Sequence, residues 1–147
     1  MKLTKKILLI FSLVTIIVGC SSDDDNSSNA TIRVNGQALF EDVGDFNGDI
    51  DGDFTGNGGS VTRTFQWRNA LNTADYNADI TATSQGTFRM IVKDANGTMV
   101  LDKSLDGGSE PDSFSGTTST GVPGIWSVTI TLESFNGDGS FSLSEGD

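Results

Sequence analysis

The chain has 147 residues and a mass of 15.5 kDa, a length that suits one folded domain. Its formal charge is −11, which argues against electrostatic binding of nucleic acid because such binding needs a basic face. The sequence has no histidine and a single cysteine. It therefore cannot form a Ser-His-Asp triad, a histidine metal site or an internal disulfide.

Residues 1–19 are predicted to be a signal peptide. A basic start at Met1–Lys6 precedes a nearly apolar run over Ile7–Val18, and this order is typical of secreted proteins. The run is shorter than the roughly 20 residues that a transmembrane helix needs. Ile17-Val18-Gly19-Cys20 resembles the lipobox of bacterial lipoproteins. The resemblance implies that Cys20 becomes the first mature residue and that its acyl chains anchor it in a lipid bilayer. The alternative is an ordinary signal peptide with an incidental cysteine.

Residues 20–30 are predicted to form the lipidated end and a flexible, acidic tether. Without residues 1–19 the chain keeps six basic and 20 acidic residues, a formal charge of −14. Ser21 stands where inner-membrane lipoproteins usually carry an aspartate, so the resemblance points to the outer membrane. The segment Ser22-Asp23-Asp24-Asp25 resembles the surface-export signal of some Gram-negative lipoproteins. The resemblance therefore implies a protein anchored to the outer membrane and facing outwards, and a solvated tether without sorting content is the alternative.

The remainder, residues 31–147, is predicted to be one all-β domain. Asn35-Gly36 is a type I′ turn signal between short strands, and Trp126 to Leu132 gives the clearest alternation of apolar and polar residues. Similar alternation marks residues 61–68, 76–82 and 88–93. We expect a two-sheet antiparallel β-sandwich, jelly-roll or immunoglobulin-like, with about seven or eight short strands.

The stretch from Phe88 to Leu143 resembles a known family. Phe88-Arg89-Met90-Ile91-Val92 leads into the turn Asp94-Ala95-Asn96-Gly97 and the return strand Met99-Val100-Leu101. Gly124-Ile125-Trp126 follows, and the glycine-rich segment Asn136-Gly137-Asp138-Gly139 then predicts a turn into a last strand, Phe141 to Leu143. This order is similar to the jelly-roll sandwich domains of secreted bacterial proteins, such as pre-peptidase C-terminal domains. The resemblance implies a fold and an accessory role and does not imply a reaction.

An acidic segment, Glu41 to Asn57, is a candidate metal site. It contains three tetrapeptides of one pattern, Phe46-Asn47-Gly48-Asp49, Ile50-Asp51-Gly52-Asp53 and Phe54-Thr55-Gly56-Asn57, and the glycines favour successive turns over a helix. The candidate ligands are Asp45, Asn47, Asp49, Asp51 and Asp53. Ca²⁺ binds six to eight such oxygen ligands. The two interpretations are a calcium site and a solvated acidic loop.

Three aromatic residues, Trp67, Tyr76 and Trp126, are candidates for stacking on sugar rings. The two tryptophans also lie on the apolar faces of their predicted strands, where a large ring usually belongs to the core. Both interpretations stay open from the sequence.

The functional prediction is a membrane-anchored surface lipoprotein that acts as a non-enzymatic binding or accessory module. Its expected partners are the bilayer, through Cys20, and a glycan, a protein or an outer-membrane complex. Gly-x-Ser-x-Gly and P-loop motifs are absent from the sequence, which disfavours the nucleophile and phosphate sites that they mark. The alternative is a small calcium-dependent hydrolase or another surface enzyme.

Overall fold

The computed structural model describes residues 28–42, 44–82 and 84–146. Its nine strands confirm the predicted all-β class. They are β1 (Ala30–Val34), β2 (Gln37–Ala38), β3 (Asp45–Asn47), β4 (Ile50–Asn69), β5 (Ala74–Ala82), β6 (Thr87–Lys93), β7 (Met99–Asp106), β8 (Ser113–Thr117) and β9 (Gly124–Glu145). Over these ranges, no helix is long and apolar enough to cross a membrane.

Two long strands organise the sandwich. β4 has 20 residues and β9 has 22, so the prediction of uniformly short strands is wrong for both. They pair antiparallel along their whole length, from Ile50 opposite Leu143 to Asn69 opposite Gly124. The register shifts near Gly59, where β-bulges interrupt the ladder. Bulges bend a strand and increase its twist, and here they divide each long strand into two halves.

The bend turns one continuous sheet into two layers. Sheet 1 contains residues 50–57 of β4 and 137–145 of β9, in the order β2-β1-β4-β9-β5-β8. Sheet 2 contains residues 61–69 of β4 and 124–133 of β9, in the order β3-β4-β9-β6-β7. All strand pairs are antiparallel except β3 with β4. The predicted two-sheet sandwich is therefore correct.

Aromatic rings fill the space between the layers. Phe54 of sheet 1 stacks on Phe88 of sheet 2 with ring centroids 4.6 Å apart, and Phe65 of sheet 2 lies 6.5 Å from Phe141 of sheet 1. All four rings are at most 1% exposed. Burying an aromatic side chain contributes roughly 1.5–3 kcal/mol, so these contacts across the layers are a major part of the core.

The turn predictions are correct for two segments and wrong for two others. Asn35 and Gly36 both have positive φ, at 48° and 79°, as a type I′ turn requires. Residues 94–97 also form the predicted turn between β6 and β7. The segments 50–57 and 136–139, in contrast, are strand and not turns.

Two glycines of these segments, Gly52 and Gly139, lie in sheet 1 opposite core phenylalanines. Gly52 pairs with Phe141, and Gly139 pairs with Phe54. A Cβ atom on either glycine would overlap with the opposite ring, so each ring lies over its glycine. Covering a strand glycine with a cross-strand aromatic ring compensates for its missing side chain. This is why a glycine-rich sequence forms strands here.

We expect Gly52→Ala to lower the free energy of unfolding by about 1–2 kcal/mol. Overpacking against Phe141 costs about 1–3 kcal/mol and outweighs the 0.5–1 kcal/mol that alanine gains over glycine in backbone entropy. Urea unfolding of the purified protein measures the difference. Ser140→Ala, an exposed change beside Phe141, is the control and should stay within about 0.5 kcal/mol. Equal stability of the two variants would contradict the packing argument.

Candidate functional site

The predicted lipidation and export residues, Cys20, Ser22, Asp23, Asp24 and Asp25, lie outside the described residues. The described residues begin with Ser28 and Asn29, which show where the chain enters the sandwich. The backbone N–H of Asn57 donates to the carbonyl of Asn29 over 2.8 Å. The segment that precedes the sandwich therefore joins it at the bend of β4.

The predicted calcium ligands are distributed over both sheets. Asp45 and Asn47 belong to β3, at the edge of sheet 2, and Asn47 Oδ1 accepts a hydrogen bond from Arg68 Nε over 3.2 Å. Asp51 and Asp53 are exposed on β4 in sheet 1, where Asp53 pairs with Arg33 over 3.4 Å. Asp49 lies between β3 and β4. Among the described residues, no group of three or more His, Cys, Asp or Glu side chains could hold a metal ion. The structure thus brings no three of the predicted carboxylates together, and calcium binding itself stays a prediction.

The two candidate tryptophans belong to the core. Trp67 and Trp126 are both 0% exposed, and their rings meet edge to face with centroids 6.0 Å apart. Each indole N–H donates over 2.8 Å to a backbone carbonyl, that of Gly48 for Trp67 and that of Val122 for Trp126. Neither ring can therefore stack on an external sugar.

Tyr76 is half-buried and occupies a different position. Its ring packs edge to face on Phe114, with centroids 5.8 Å apart. Because Tyr76 lies on β5 in sheet 1 and both tryptophans lie in sheet 2, the three predicted aromatics do not form one surface. The core interpretation, which the apolar strand faces favoured, is correct for the tryptophans.

A polar groove crosses the outer face of sheet 2. Cα pairing places Thr62 opposite Thr131, Thr131 opposite Arg89, and Arg89 opposite Ser104. These four side chains form a row across β4, β9, β6 and β7. Two depressions of about 530 and 440 Å³ share Thr131 and Glu133 as lining residues. The depressions therefore adjoin at these two residues, and we call the two depressions with the row between them the transverse groove.

Hydroxyl groups and one ion pair give the transverse groove its chemistry. The hydroxyls of Thr62 and Thr131 are 3.1 Å apart. Arg89 donates through Nε and Nη2 to the two oxygens of Asp102, over 2.8 and 2.7 Å. The hydrogen bond from Arg89 lowers the pKa of the Asp102 carboxyl group, although the desolvation of Asp102 opposes this shift. The same hydrogen bond raises the pKa of the Arg89 guanidinium. The charged forms of both side chains are thus favoured at neutral pH.

An exposed aromatic side chain lies in the loop that is hydrogen-bonded to the edge of β4. Phe40 is 81% exposed, although its loop is held firmly against β4. Arg63 Nε donates to the carbonyl of Leu39 over 2.8 Å. The N–H of Thr64 donates to Asp42 Oδ1 over 2.9 Å. These bonds fix the loop on both sides of Phe40, next to the strand that carries Thr62.

The transverse groove and Phe40 were not predicted from the sequence. The alternation of residues 126–132 shows that Thr129 and Thr131 point away from the core, and the pattern of residues 88–93 does the same for Arg89. The missing information is which strands are neighbours, because Thr62 and Thr131 are far apart in the chain and adjacent in the sheet. For Phe40 the sequence is misleading, since its alternation with Ala38 after the Asn35-Gly36 turn predicts the returning strand of a hairpin.

No protein-family model and no curated protein matches the chain. Solved structures with a similar fold include TmCBM61 in complex with beta-1,4-galactotriose, at 9% identity and TM-score 0.44, covering 82% of this chain and 89% of that one. The pre-peptidase C-terminal domain of collagenase from Bacillus anthracis matches at 13% identity and TM-score 0.42, covering 74% and 98%. A structure described as CBM4 matches at 18% identity and TM-score 0.33, covering 65% and 70%. With all three TM-scores below 0.5, we draw no functional conclusion from them.

The buried carboxylate of Asp94 lies outside the groove and has a structural role. Asp94 is 5% exposed. Its Oδ2 accepts from the N–H of Val122 over 2.8 Å, and its Oδ1 accepts from Thr98 over 2.8 Å and Asn96 over 3.0 Å. These hydrogen bonds, that from Val122 foremost, lower the pKa of Asp94. The carboxylate joins the β6–β7 turn to the loop before β9.

We expect this carboxylate to make the stability of the protein sensitive to acid. The folded-state pKa of Asp94 lies below the value of about 3.9 for an unfolded aspartate, so its contribution is complete above that pH and is lost as pH falls through the folded pKa. Asp94→Asn should therefore be less stable than the wild type at pH 7, by a margin that shrinks below about pH 4. Thermal melts from pH 2 to 7 measure this margin. A margin independent of pH would contradict the role of the charge.

Proposed function

We propose that this chain is a lipid-anchored surface lipoprotein of the outer membrane whose sandwich is a non-enzymatic binding module. The observation that carries the anchoring is the apolar run that ends at Val18-Gly19-Cys20. Such a run directs secretion. Acyl groups on Cys20 would then hold the mature protein in the membrane, because more than one acyl group buried in the bilayer gives stable anchoring. The acidic segment after Cys20 supports export to the cell surface.

The chain enters the sandwich next to the transverse groove. Asn29 is hydrogen-bonded to Asn57 at the bend of β4, and the row from Thr62 to Ser104 lies on the outer face of sheet 2. Asn29 also lies against Gly59, and the next residue, Ser60, lines the β4 end of the transverse groove. The connection to the tether therefore adjoins that end of the groove.

The chemistry of the groove favours binding over hydrolysis. Two carboxylates line it, those of Asp102 and Glu133. A glycosidase needs one carboxyl group whose pKa is raised so that it can donate a proton. The pKa of Asp102 is shifted in the opposite direction by the hydrogen bond from Arg89. The described residues also contain no group of acidic side chains arranged for a metal ion, so the calcium-dependent hydrolase has no support among them.

The anchoring is tested by the substitution Cys20→Ala in the cells that produce the protein. We expect the variant to lose metabolic labelling with an alkyne fatty acid and to leave the membrane fraction, because the acyl chains supply the membrane affinity. Ser21→Ala, one position further, is the matched control and should remain labelled and sedimentable. A Cys20→Ala protein that stays in the carbonate-washed membrane pellet would refute the anchoring.

Export is tested on intact cells with an added protease. We expect the wild-type domain to be degraded and the variant Asp23→Ala/Asp24→Ala/Asp25→Ala to be protected, while both stay in the membrane fraction. The control removes three exposed carboxylates from sheet 1 instead, as Asp75→Ala/Asp79→Ala/Asp138→Ala, and should be degraded like the wild type. Since both variants lose the same charge, a difference between them reports position and not net charge. Protection of the wild type would exclude a surface location.

A further inference from the structure

We infer that the transverse groove binds a chain of uncharged sugars, with Phe40 as an aromatic contact at the β4 end. The inference rests on the proposed function as a binding module and names its ligand class. It is carried by the row Thr62–Thr131–Arg89–Ser104 and by the exposed ring of Phe40, whose loop is bonded to Arg63 and Thr64 of the same strand as Thr62.

The length of the groove fits an oligosaccharide and not a single small molecule. Its row crosses four neighbouring strands. Neighbouring strands lie about 4.7–4.9 Å apart, so the row spans roughly 14–15 Å. Pairing in the sheet keeps the row straight and fixes the spacing of its side chains. An extended chain of several sugar units matches this long, shallow shape.

The side chains in the row have the hydrogen-bonding chemistry that sugars require. A sugar hydroxyl both donates and accepts, and the hydroxyls of threonine and serine do the same, with one donor and two acceptor positions each. Thr62 and Thr131 satisfy only part of this capacity by contacting each other over 3.1 Å. Arg89 uses two N–H groups on Asp102 and has five in total. The row therefore retains donors and acceptors for a ligand.

Charge argues against the other common ligands of a polar groove. The groove contains one cation, Arg89, between the carboxylates of Asp102 and Glu133, and the chain without residues 1–19 carries −14. Both facts disfavour phosphate or uronate groups, and the central guanidinium disfavours a cationic ligand. A docked protein usually needs an apolar, well-packed centre. Of the two apolar lining residues, Leu132 is only 1% exposed and Val61 is packed against the core, so the groove does not provide one.

Phe40 adds the apolar contact that the groove itself lacks. Aromatic rings offer a flat apolar face, and the C–H face of a sugar ring is a suitable partner for it. Ordering an exposed side chain on binding costs conformational entropy. The loop of Phe40 is already held by Arg63 and Asp42, so the backbone part of that cost does not arise.

The test uses the full lipoprotein in detergent micelles and native affinity electrophoresis. The gels contain xylan, glucomannan, galactan, β-1,3-glucan or soluble starch as neutral probes, and polygalacturonate or alginate as anionic probes. We expect at least one neutral polysaccharide to retard the protein and the anionic ones not to. Thr62→Val removes one hydroxyl at constant shape and should weaken binding about fivefold, and Phe40→Ala about five- to tenfold.

Thr55→Val is the matched control, because Thr55 is exposed on the same strand but in sheet 1. It should bind like the wild type, and thermal melts should show that all variants are folded. Retardation by no neutral probe would overturn the inference, as would stronger retardation by the anionic probes. Equal weakening by Thr55→Val and Thr62→Val would overturn the assignment to the groove. If the same protein is still labelled at Cys20, these results overturn the sugar-binding inference and leave the proposed anchoring standing.

Discussion

The pairing of β4 with β9 is the constraint on which the rest of the structure depends. These two strands are the only described ones that run through both layers, and each other strand joins a layer by pairing with one of them or with a neighbour of one. The bend in both strands, near Gly59 and Phe135, sets the layers face to face. Phe54 and Phe88 then stack across the interior. The outer face of sheet 2 and its row of hydroxyls follow from the same register.

The sequence was sufficient for the fold class because alternation records which side of a strand is buried. It failed over residues 50–57 because glycine usually marks a turn, whereas Gly52 is covered by the ring of Phe141. The covering residue is distant in the chain, so no local pattern could identify it. The same reason explains why Asn136 to Gly139 was assigned to a turn and lies within β9.

The candidate site was harder to predict than the fold. Trp67 and Trp126 are candidates for sugar stacking because they are large aromatics, but their positions in the alternating pattern favour the core, where both lie. Phe40 alternates with Ala38 in a predicted strand, yet its ring is exposed. The residues of the groove are ordinary outward-facing polar residues in their own strands, and only the pairing of β4, β9, β6 and β7 brings Thr62, Thr131 and Arg89 together.

The position of β9 after all of its partner strands also determines when the sandwich can form. Residue 50 pairs with residue 143, and residue 69 pairs with residue 124. Such distant pairings give a high contact order, which slows folding to roughly milliseconds to seconds in small β-proteins. Until β9 emerges, β4, β5 and β6 lack a neighbour that they have in the native sheet. A chain that emerges from its N-terminus therefore stays without its central strand until residues 124–145 have emerged, and a chain that ends before residue 124 exposes unpaired edges on which aggregates can grow.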